Sequence, residues 1–364
     1  MKTDPICGMK VDEAGAIHQS TFRGESYFFC SEHCREAFEQ DPLLYIEQEQ
    51  APSLERKVVV VGTGAVGSTF AYALMRSGLA TKIALVGRTP EKVRAHVMDL
   101  NHGLMFVPPV HIYEGTYADC KNADMVAVSS GVAQKTGESR IDLAKRNAEV
   151  FRKIIPLIAR EDPKSILVVT NPVDVLTYAA IKISGMPMNR IIGSGTVLDT
   201  ARFRYLLSHH CGVDSRNVHG YILGEHGDSE VPAWSKVDIG GVALKNYCPS
   251  CGRNCPREEM EGIFRQVRNA AYEIIQGKGV TNFAIGLAMV RITEAILRNE
   301  NSILSVSTLV DGLYNIRDVC LSIPAVLNRN GVAKQIHLDL EANEVQMLRS
   351  SAELLKKSIK EIGM

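Results

Sequence analysis

Short apolar runs alternate with longer amphipathic stretches through the middle of this chain. Residues 57–61 (Lys-Val-Val-Val-Val) read as a strand buried on both faces, and residues 66–77 read as a helix. The apolar run recurs at 82–86, 125–128 and 165–169. Short apolar strands separated by helices predict a doubly wound parallel sheet. From about residue 194 the strands lose regularity and long helical periods follow, which predicts a further α+β domain. A polar stretch with a proline, residues 48–55, marks off the first part of the chain. The expected fold class is α/β: a cysteine-rich module at 1–50, a doubly wound (Rossmann) domain at 56–193 and an α+β domain at 194–364. There is no internal repeat and no low-complexity tract.

Charge narrows the picture. Lys+Arg and Asp+Glu number 41 each in 364 residues, so no excess of either sign points to nucleic acid or another polyanion. No apolar run approaches the roughly 20 residues that cross a bilayer. The N-terminus lacks the apolar core of a secretion signal, so a cytoplasmic location is expected. The nine cysteines are clustered: Cys7, Cys30 and Cys34 in the first module, and Cys248, Cys251 and Cys255 later. In a reducing compartment such clusters read as metal sites before disulfides. Cys120, Cys211 and Cys320 stand alone and are expected in the core.

Gly62-Thr63-Gly64-Ala65-Val66-Gly67 follows the first strand and opens a helix. Gly62 permits a tight turn, Gly64 lets the backbone approach a pyrophosphate, and Gly67 lets helix and strand pack closely. The N–H groups at the helix start, around Ala65 and Val66, then face the phosphates. This context predicts a dinucleotide site. The end of the second strand departs from expectation. An acidic residue is expected there to accept hydrogen bonds from the adenosine ribose, but Gly87 occupies the place, followed by Arg88 and Thr89. Either Arg88 and Thr89 contact a 2′-phosphate, so that NADP(H) is accepted, or the site takes NAD(H) with weakened ribose contacts.

Residues 223–228 (Leu-Gly-Glu-His-Gly-Asp) put His226 between two glycines and two carboxylates. Hydride reduction of a ketone leaves an alkoxide, so a proton must arrive in step, and histidine titrates in the useful range. Asp199 is expected to hold the imidazole and raise its pKa. Arg202, three residues on, shares a helical face with Asp199, and its fork matches a substrate carboxylate. Arg140, read as part of a loop with Gly131 and Gly137, is expected to polarise the carbonyl. Asn171 follows a strand end, where it can bond substrate or nicotinamide. Together these residues point to reduction of a small 2-keto acid.

Residues from about 56 to 364 resemble the L-lactate dehydrogenases of the lactate/malate dehydrogenase family. The matching stretches are 61–67, 98–103, 134–140, 170–174, 193–204, 223–228 and 278–281. The resemblance implies His226 as acid/base, Asp199 as its partner, Arg202 on the carboxylate and Arg140 on the carbonyl. It also implies that Thr281 and Ile285 line the substrate and nicotinamide pockets, and that the chain forms a homotetramer. Malate members carry an arginine where this chain has Gln134, so pyruvate/lactate is expected over oxaloacetate/malate. Arg204 and His219 match the pair that binds fructose 1,6-bisphosphate at a subunit interface in activated bacterial members. The alternative is a surface arginine and a satisfied histidine. The rival functions are a dehydrogenase of malate or another 2-hydroxy acid, and a metal-responsive binding protein on a dehydrogenase scaffold.

The first module resembles the YHS/TRASH family of small metal-binding domains through residues 4–9, 27–30 and the spacing of Cys30 and Cys34. Three thiolates with a fourth ligand suit zinc, and copper(I) also accepts them. His33 and His18 are the candidate fourth ligands. The alternative is a metal-free helical hairpin packed by Phe22, Phe28, Phe29 and Phe38. Cys248, Cys251 and Cys255 remain open between a metal knuckle completed from elsewhere and a redox-sensitive or structural loop.

Overall fold

The computed structural model describes residues 2–13, 15–22, 25–40, 42, 45, 55–132, 139–250 and 257–364. The chain divides into two compact units, Met1–Glu55 and Arg56–Met364.

In the first unit, β1 (Lys2–Thr3) pairs with β2 (Lys10–Val11). An antiparallel hairpin, β3 (His18–Phe22) and β4 (Glu25–Phe29), packs on helix α1 (Glu32–Gln40). Phe29, Cys34 and Phe38 are its buried core, with Phe22 and Tyr27 against them. The helical hairpin expected for the metal-free alternative is therefore corrected to a β-hairpin with one helix. The aromatic residues between 22 and 29 alternate on a pleat rather than recurring at helical spacing.

In the second unit the first strand is β5 (Lys57–Val61). Its Val58 and Val60 enter one apolar layer and its Val59 and Val61 the other, as a strand covered on both faces requires. Then follow α2 (Ala65–Ser77), β6 (Lys82–Val86), α3 (Pro90–His102), β7 (His111–Glu114) and β8 (Met125–Val128). The half closes with α4 (Arg140–Ala159), β9 (Ile166–Val168), α5 (Val173–Ser184) and β10 (Ile191–Gly193). Strands β10-β9-β8-β5-β6-β7 lie side by side and all parallel. That is the doubly wound order, which reverses between β5 and β8 and places ligands at the carboxyl ends of those strands. Strands β7 and β10 escape the sequence pattern. At the sheet edge only Ile112 of β7 is buried, and β10 spans three residues.

Helix α6 (Val197–Cys211) opens the second half, followed by the short strands β11 (Val218–His219), β12 (Ile222–Leu223), β13 (Val231–Pro232), β14 (Asp238–Ile239) and β15 (Val242–Ala243). Helices α7 (Leu244–Ser250), α8 (Arg257–Lys278) and α9 (Phe283–Leu297) come next. Strands β16 (Ser302–Asp311), β17 (Arg317–Asn328) and β18 (Gly331–Gln335) then join the main sheet, β16 antiparallel to β10. The sheet is thus nine strands wide among the described residues, which welds both halves into one body. Helix α10 (Ala342–Glu361) ends the fold and buries Leu348, Ala352 and Leu355. Cys120, Cys211 and Cys320 are buried, as expected.

Candidate active site and thiol cluster

The glycine-rich turn is shaped by close approach. Gly62 has φ +113°, and a Cβ there would lie 2.6 Å from Ser130 N. A Cβ on Gly67 would lie 1.9 Å from Gly62 O, so no larger residue fits without moving helix from strand. A Cβ on Gly64 would meet nothing within 4 Å, which leaves open space above the turn. Gly64 also caps α2 without any side-chain hydrogen bond, so the N–H groups starting at Ala65 and Val66 are left for an anion. The cradle fits a pyrophosphate on this ground.

At the tip of β6, a Cβ on Gly87 would sit 2.7 Å from Val93 Cγ2 and 2.9 Å from Thr63 Oγ1. An acidic side chain would have to displace its neighbours there. Arg88 and Thr89 are exposed, and Thr89 caps α3 without a side-chain hydrogen bond. Ile285 is half-buried on α9, and Thr281 lies just before that helix. Both are held near the turn because Asn282 Nδ2 donates to Thr69 Oγ1 (2.9 Å) and Gly286 packs against Thr69.

An unbroken run of contacts leads from this turn to His226. Ser129 Oγ donates to Gly62 O (3.0 Å), and Thr170 Oγ1 donates to Ser130 O (2.8 Å). Asn147, buried in α4, donates to Asn171 O (2.7 Å) and accepts from Val132 N (2.7 Å). Asn171 itself is exposed at the end of β9. Two residues past Pro172, Asp174 accepts from His226 N (2.8 Å). His226 lies in the connection between β12 and β13, which is further tied to β17 through Gly224 and Ser322.

His226 Nδ1 lies 2.5 Å from Asp199 Oδ2, and Arg202 donates to Asp199 Oδ1 (2.9 Å). Asp199 is 2 % exposed. Burial alone would depress the imidazole, but the Asp199 carboxylate outweighs it and lifts His226 to about 9. Burial likewise opposes ionisation of Asp199, yet His226 and Arg202 hold its pKa below the ordinary value. Burial pushes Asp174 up to about 6. Burial, with the Asp199 carboxylate second, raises the deeply placed Glu230 to about 9.

Arg140 is the first residue of α4 rather than a loop residue, with Ser139 as its cap. Its guanidinium reaches Asp228 Oδ2 (3.1 Å), Glu225 Oε1 (3.5 Å) and the Tyr272 hydroxyl (2.6 Å). Gln134 and Gly137 lie outside the described residues, as do Cys251 and Cys255. Cys248 packs in an apolar cluster with Phe203, Leu207 and Ile263. Sequence reasoning assigned no role to Asn147, Asp174, Glu230 or Tyr272. Their signal, a polar side chain on an otherwise apolar or unremarkable helix or loop, becomes legible only once burial and partners are known.

Arg204 donates from Nε to Gly220 O (3.1 Å), which follows His219 directly. Its guanidinium is 5.5 Å from the Tyr221 ring, and burial pushes its pKa down. His219 is exposed on β11.

In the first unit the three thiols converge. Cys7 Sγ is 3.4 Å from Cys30 Sγ, which is 3.8 Å from Cys34 Sγ. The fourth group in reach is the Asp4 carboxylate: ligand atoms of all four residues lie within 4.8 Å of one another. The two histidines expected as fourth ligands are elsewhere. His18 Nδ1 is 2.7 Å from Glu32 Oε2, and exposed His33 is outside the group.

A doubly wound sheet, a glycine turn fitted to a pyrophosphate and a buried acid–imidazole–guanidinium cluster define a dinucleotide-binding dehydrogenase framework. Residues 56–193 match the NAD binding domain of lactate/malate dehydrogenases, and residues 196–363 match the alpha/beta C-terminal domain of the same proteins. The chain belongs to the lactate/malate dehydrogenase family, and residues 2–49 match the YHS domain. It is 53% identical to the L-lactate dehydrogenase of Acetivibrio thermocellus over 310 residues, 85% of this chain and 98% of that one. It is 48% identical to that of Thermoanaerobacter pseudethanolicus over 309 residues, 85% and 99% of the two chains. A lactate dehydrogenase from a Medee basin deep-sea metagenome library superposes with TM-score 0.82 at 46% identity, covering 85% of this chain and 99% of that one. The minor L-lactate dehydrogenase of Enterococcus mundtii gives 0.81 at 39% identity, over 84% and 98%.

Proposed function

We propose that this protein is an L-lactate dehydrogenase that interconverts pyruvate and L-lactate with a nicotinamide cofactor. The observation that carries the reading is the His226–Asp199–Arg202 cluster at the far end of the contacts that start in the glycine turn. The relatives named above, whose printed activity is the same, support it. Gly62, Gly64, Gly67 and the N–H groups at Ala65 and Val66 would hold the pyrophosphate, with Ile285 near the nicotinamide. Bound there, the cofactor supplies the hydride. His226, its Nδ1 engaged by Asp199, gives the proton from Nε2 to the forming alkoxide. Arg202 takes the substrate carboxylate in a two-pronged pair. Arg140 polarises the carbonyl, and Asn171 and Thr281 complete the pocket. A neutral Gln134 leaves a second carboxylate without a partner, which favours pyruvate over oxaloacetate. Steady-state reduction should therefore favour pyruvate by a factor of about 10² or more, the scale set by one unpaired buried charge. Comparable rates with oxaloacetate would sink the assignment.

We further infer that NADPH is accepted, since Gly87 removes a charge that would repel a 2′-phosphate, and Arg88 and Thr89 are free to meet it. Catalytic efficiencies with NADH and NADPH within about tenfold of each other are expected in the same assay, the scale of one modest polar contact. The functional division follows residues 1–50, 56–193 and 194–364, and the enzyme is taken to be a homotetramer. Among the described residues no helix is long and apolar enough to cross a membrane.

Arg204 and His219 are proposed to receive fructose 1,6-bisphosphate. Two cationic pairs brought together across a two-fold axis repel until a bisphosphate neutralises them. Millimolar fructose 1,6-bisphosphate should lower the apparent KM for pyruvate about fivefold or more, a typical lower bound for coupling between sites. Arg204→Gln should abolish that response while leaving unactivated turnover in place. An unchanged KM in the parent enzyme would remove the effector assignment.

The thiol cluster of Cys7, Cys30 and Cys34 is proposed as a metal site, for zinc or copper(I). The three sulfurs stand at separations that a single ion can span.

A further inference from the structure

Asp4 is the residue of the first unit whose position is hardest to explain by packing alone. It is fully buried. It is a carboxylate among thiols, with its ligand atom within 4.8 Å of the sulfurs of Cys7, Cys30 and Cys34. Both of its oxygens are held. Oδ1 accepts from Ile6 N (2.9 Å) and Oδ2 from Cys30 N (2.7 Å). These two bonds tie the N-terminal turn that carries Cys7 to the start of the segment that carries Cys30 and Cys34. The Cys30 and Cys7 thiols also hydrogen-bond the carboxylate, so its remaining acceptor positions are engaged by the same sulfurs that a metal would bind.

Among the described residues no ion pair balances its charge: Arg35 pairs with Glu32 and Glu39, and His18 pairs with Glu32. A buried carboxylate without a charge partner is costly. Ionised thiolates beside it make the local charge more negative, not less. A metal ion is the species that reverses this, and the donor set says which class. Thiolates alone accept soft copper(I) or borderline zinc. A carboxylate oxygen is a hard donor. It adds little to copper(I), which three sulfurs already satisfy, whereas it completes the tetrahedron that zinc requires. Charge points the same way: three thiolates and one carboxylate are better neutralised by a doubly charged ion than by a singly charged one.

We propose that Asp4 is the fourth ligand of a Cys7–Cys30–Cys34 site and that it makes the site selective for a divalent borderline cation, zinc, over copper(I). This deepens the metal reading of the thiol cluster and rests on it.

The test uses the full-length protein, reduced and free of oxygen, with zinc alone and copper(I) alone as probes. Affinities are read by competition against a chromophoric chelator for each ion. Cobalt(II) substitution reports the donor set by absorption. Asp4→Asn keeps one carbonyl acceptor for the backbone but loses the charged oxygen. Cys30→Ser serves as the control that reports metal held anywhere else in the chain. The expected result is that Asp4→Asn weakens zinc by at least about tenfold, the loss seen even for partners outside the ligand shell. Copper(I) affinity should stay within about threefold, because its sulfur donors are intact. The cobalt spectrum should keep its thiolate charge-transfer bands and change in its ligand-field bands. Retained copper(I) binding shows that the unit is still folded. Unchanged zinc affinity in Asp4→Asn overturns the proposal. Equal losses for both ions also overturn it and leave Asp4 as a tie between backbone segments. If the parent protein holds neither ion in a Cys30-dependent way, the metal reading of the thiols falls, and this proposal with it.

Discussion

Replacing His226 with Gln is expected to lower kcat/KM for pyruvate by about 10³-fold, the contribution of a positioned general acid. Glutamine is close in size and polar, so the connection between β12 and β13 should persist. The backbone bond from residue 226 to Asp174 does not depend on the side chain. Cofactor affinity, read by nucleotide fluorescence, should stay unchanged. The pH profile gives an independent reading of the same group. Reduction needs the protonated imidazole, and Asp199 holds His226 at about 9 against an ordinary 6.5. The rate of pyruvate reduction should therefore be flat through neutrality and fall as pH rises through about 9. Lactate oxidation needs the neutral ring and should rise over the same interval. Asp199→Asn removes the charge that raises the imidazole, so the limb should move towards the ordinary value. A His226→Gln enzyme retaining a tenth of the parent activity would exclude His226 as the proton donor.

Arg202→Gln is expected to cost about 3–5 kcal/mol of transition-state binding, the loss that follows when one member of a buried ion pair is removed. The equivalent is a fall in kcat/KM of roughly 10²- to 5 × 10³-fold, carried largely by KM. Two effects combine. The substrate carboxylate loses its fork, and Asp199 loses the donor now 2.9 Å from its Oδ1. The second effect has its own signature. With Arg202 gone, a positive neighbour is removed from His226 and Asp199 acts on the imidazole alone. The alkaline limb of pyruvate reduction should shift upward in pH. Arg202→Lys should restore the charge and part of the limb without restoring KM, because an ammonium cannot form the paired contact. A loss below about threefold, smaller than one ordinary hydrogen bond, would remove Arg202 from the substrate site.

The parts of this protein that were legible in the chain are those whose requirement is local. Gly62 and Gly67 are needed because of a positive φ and a missing Cβ, and both demands belong to the residue itself. Strands 57–61 and 82–86 are apolar throughout because both faces are covered, so burial was written in composition. Asp199 and Arg202 meet because they are three residues apart on one helix. Strand β7 was illegible because an edge strand buries little. Strand β10 was illegible because it is held by its neighbours β9 and β16 rather than by its own length.

The first unit shows the same division more sharply. The three cysteines announced a cluster by residue type alone. The fourth group did not, because an aspartate before a proline is an ordinary turn residue until Cys30 N closes on it from 26 positions away. The histidines looked better suited by chemistry, but the fold commits His18 to Glu32 and leaves His33 at the surface.

By itself the sequence determined the doubly wound class and the nucleotide turn, and it singled out His226 as the candidate acid–base residue and the three thiols as a candidate cluster. It could do so because backbone conformation, strand burial and intrinsic pKa are properties of single residues or near neighbours. Only the tertiary structure decided that His226 is lifted to about 9, that Asp174 and Asn147 hold the loops of the site, and that Asp4 stands with the thiols. Each of these depends on burial and on charges brought together from distant parts of the chain. Both the cost of desolvation and the strength of a Coulomb pair are set by that assembly.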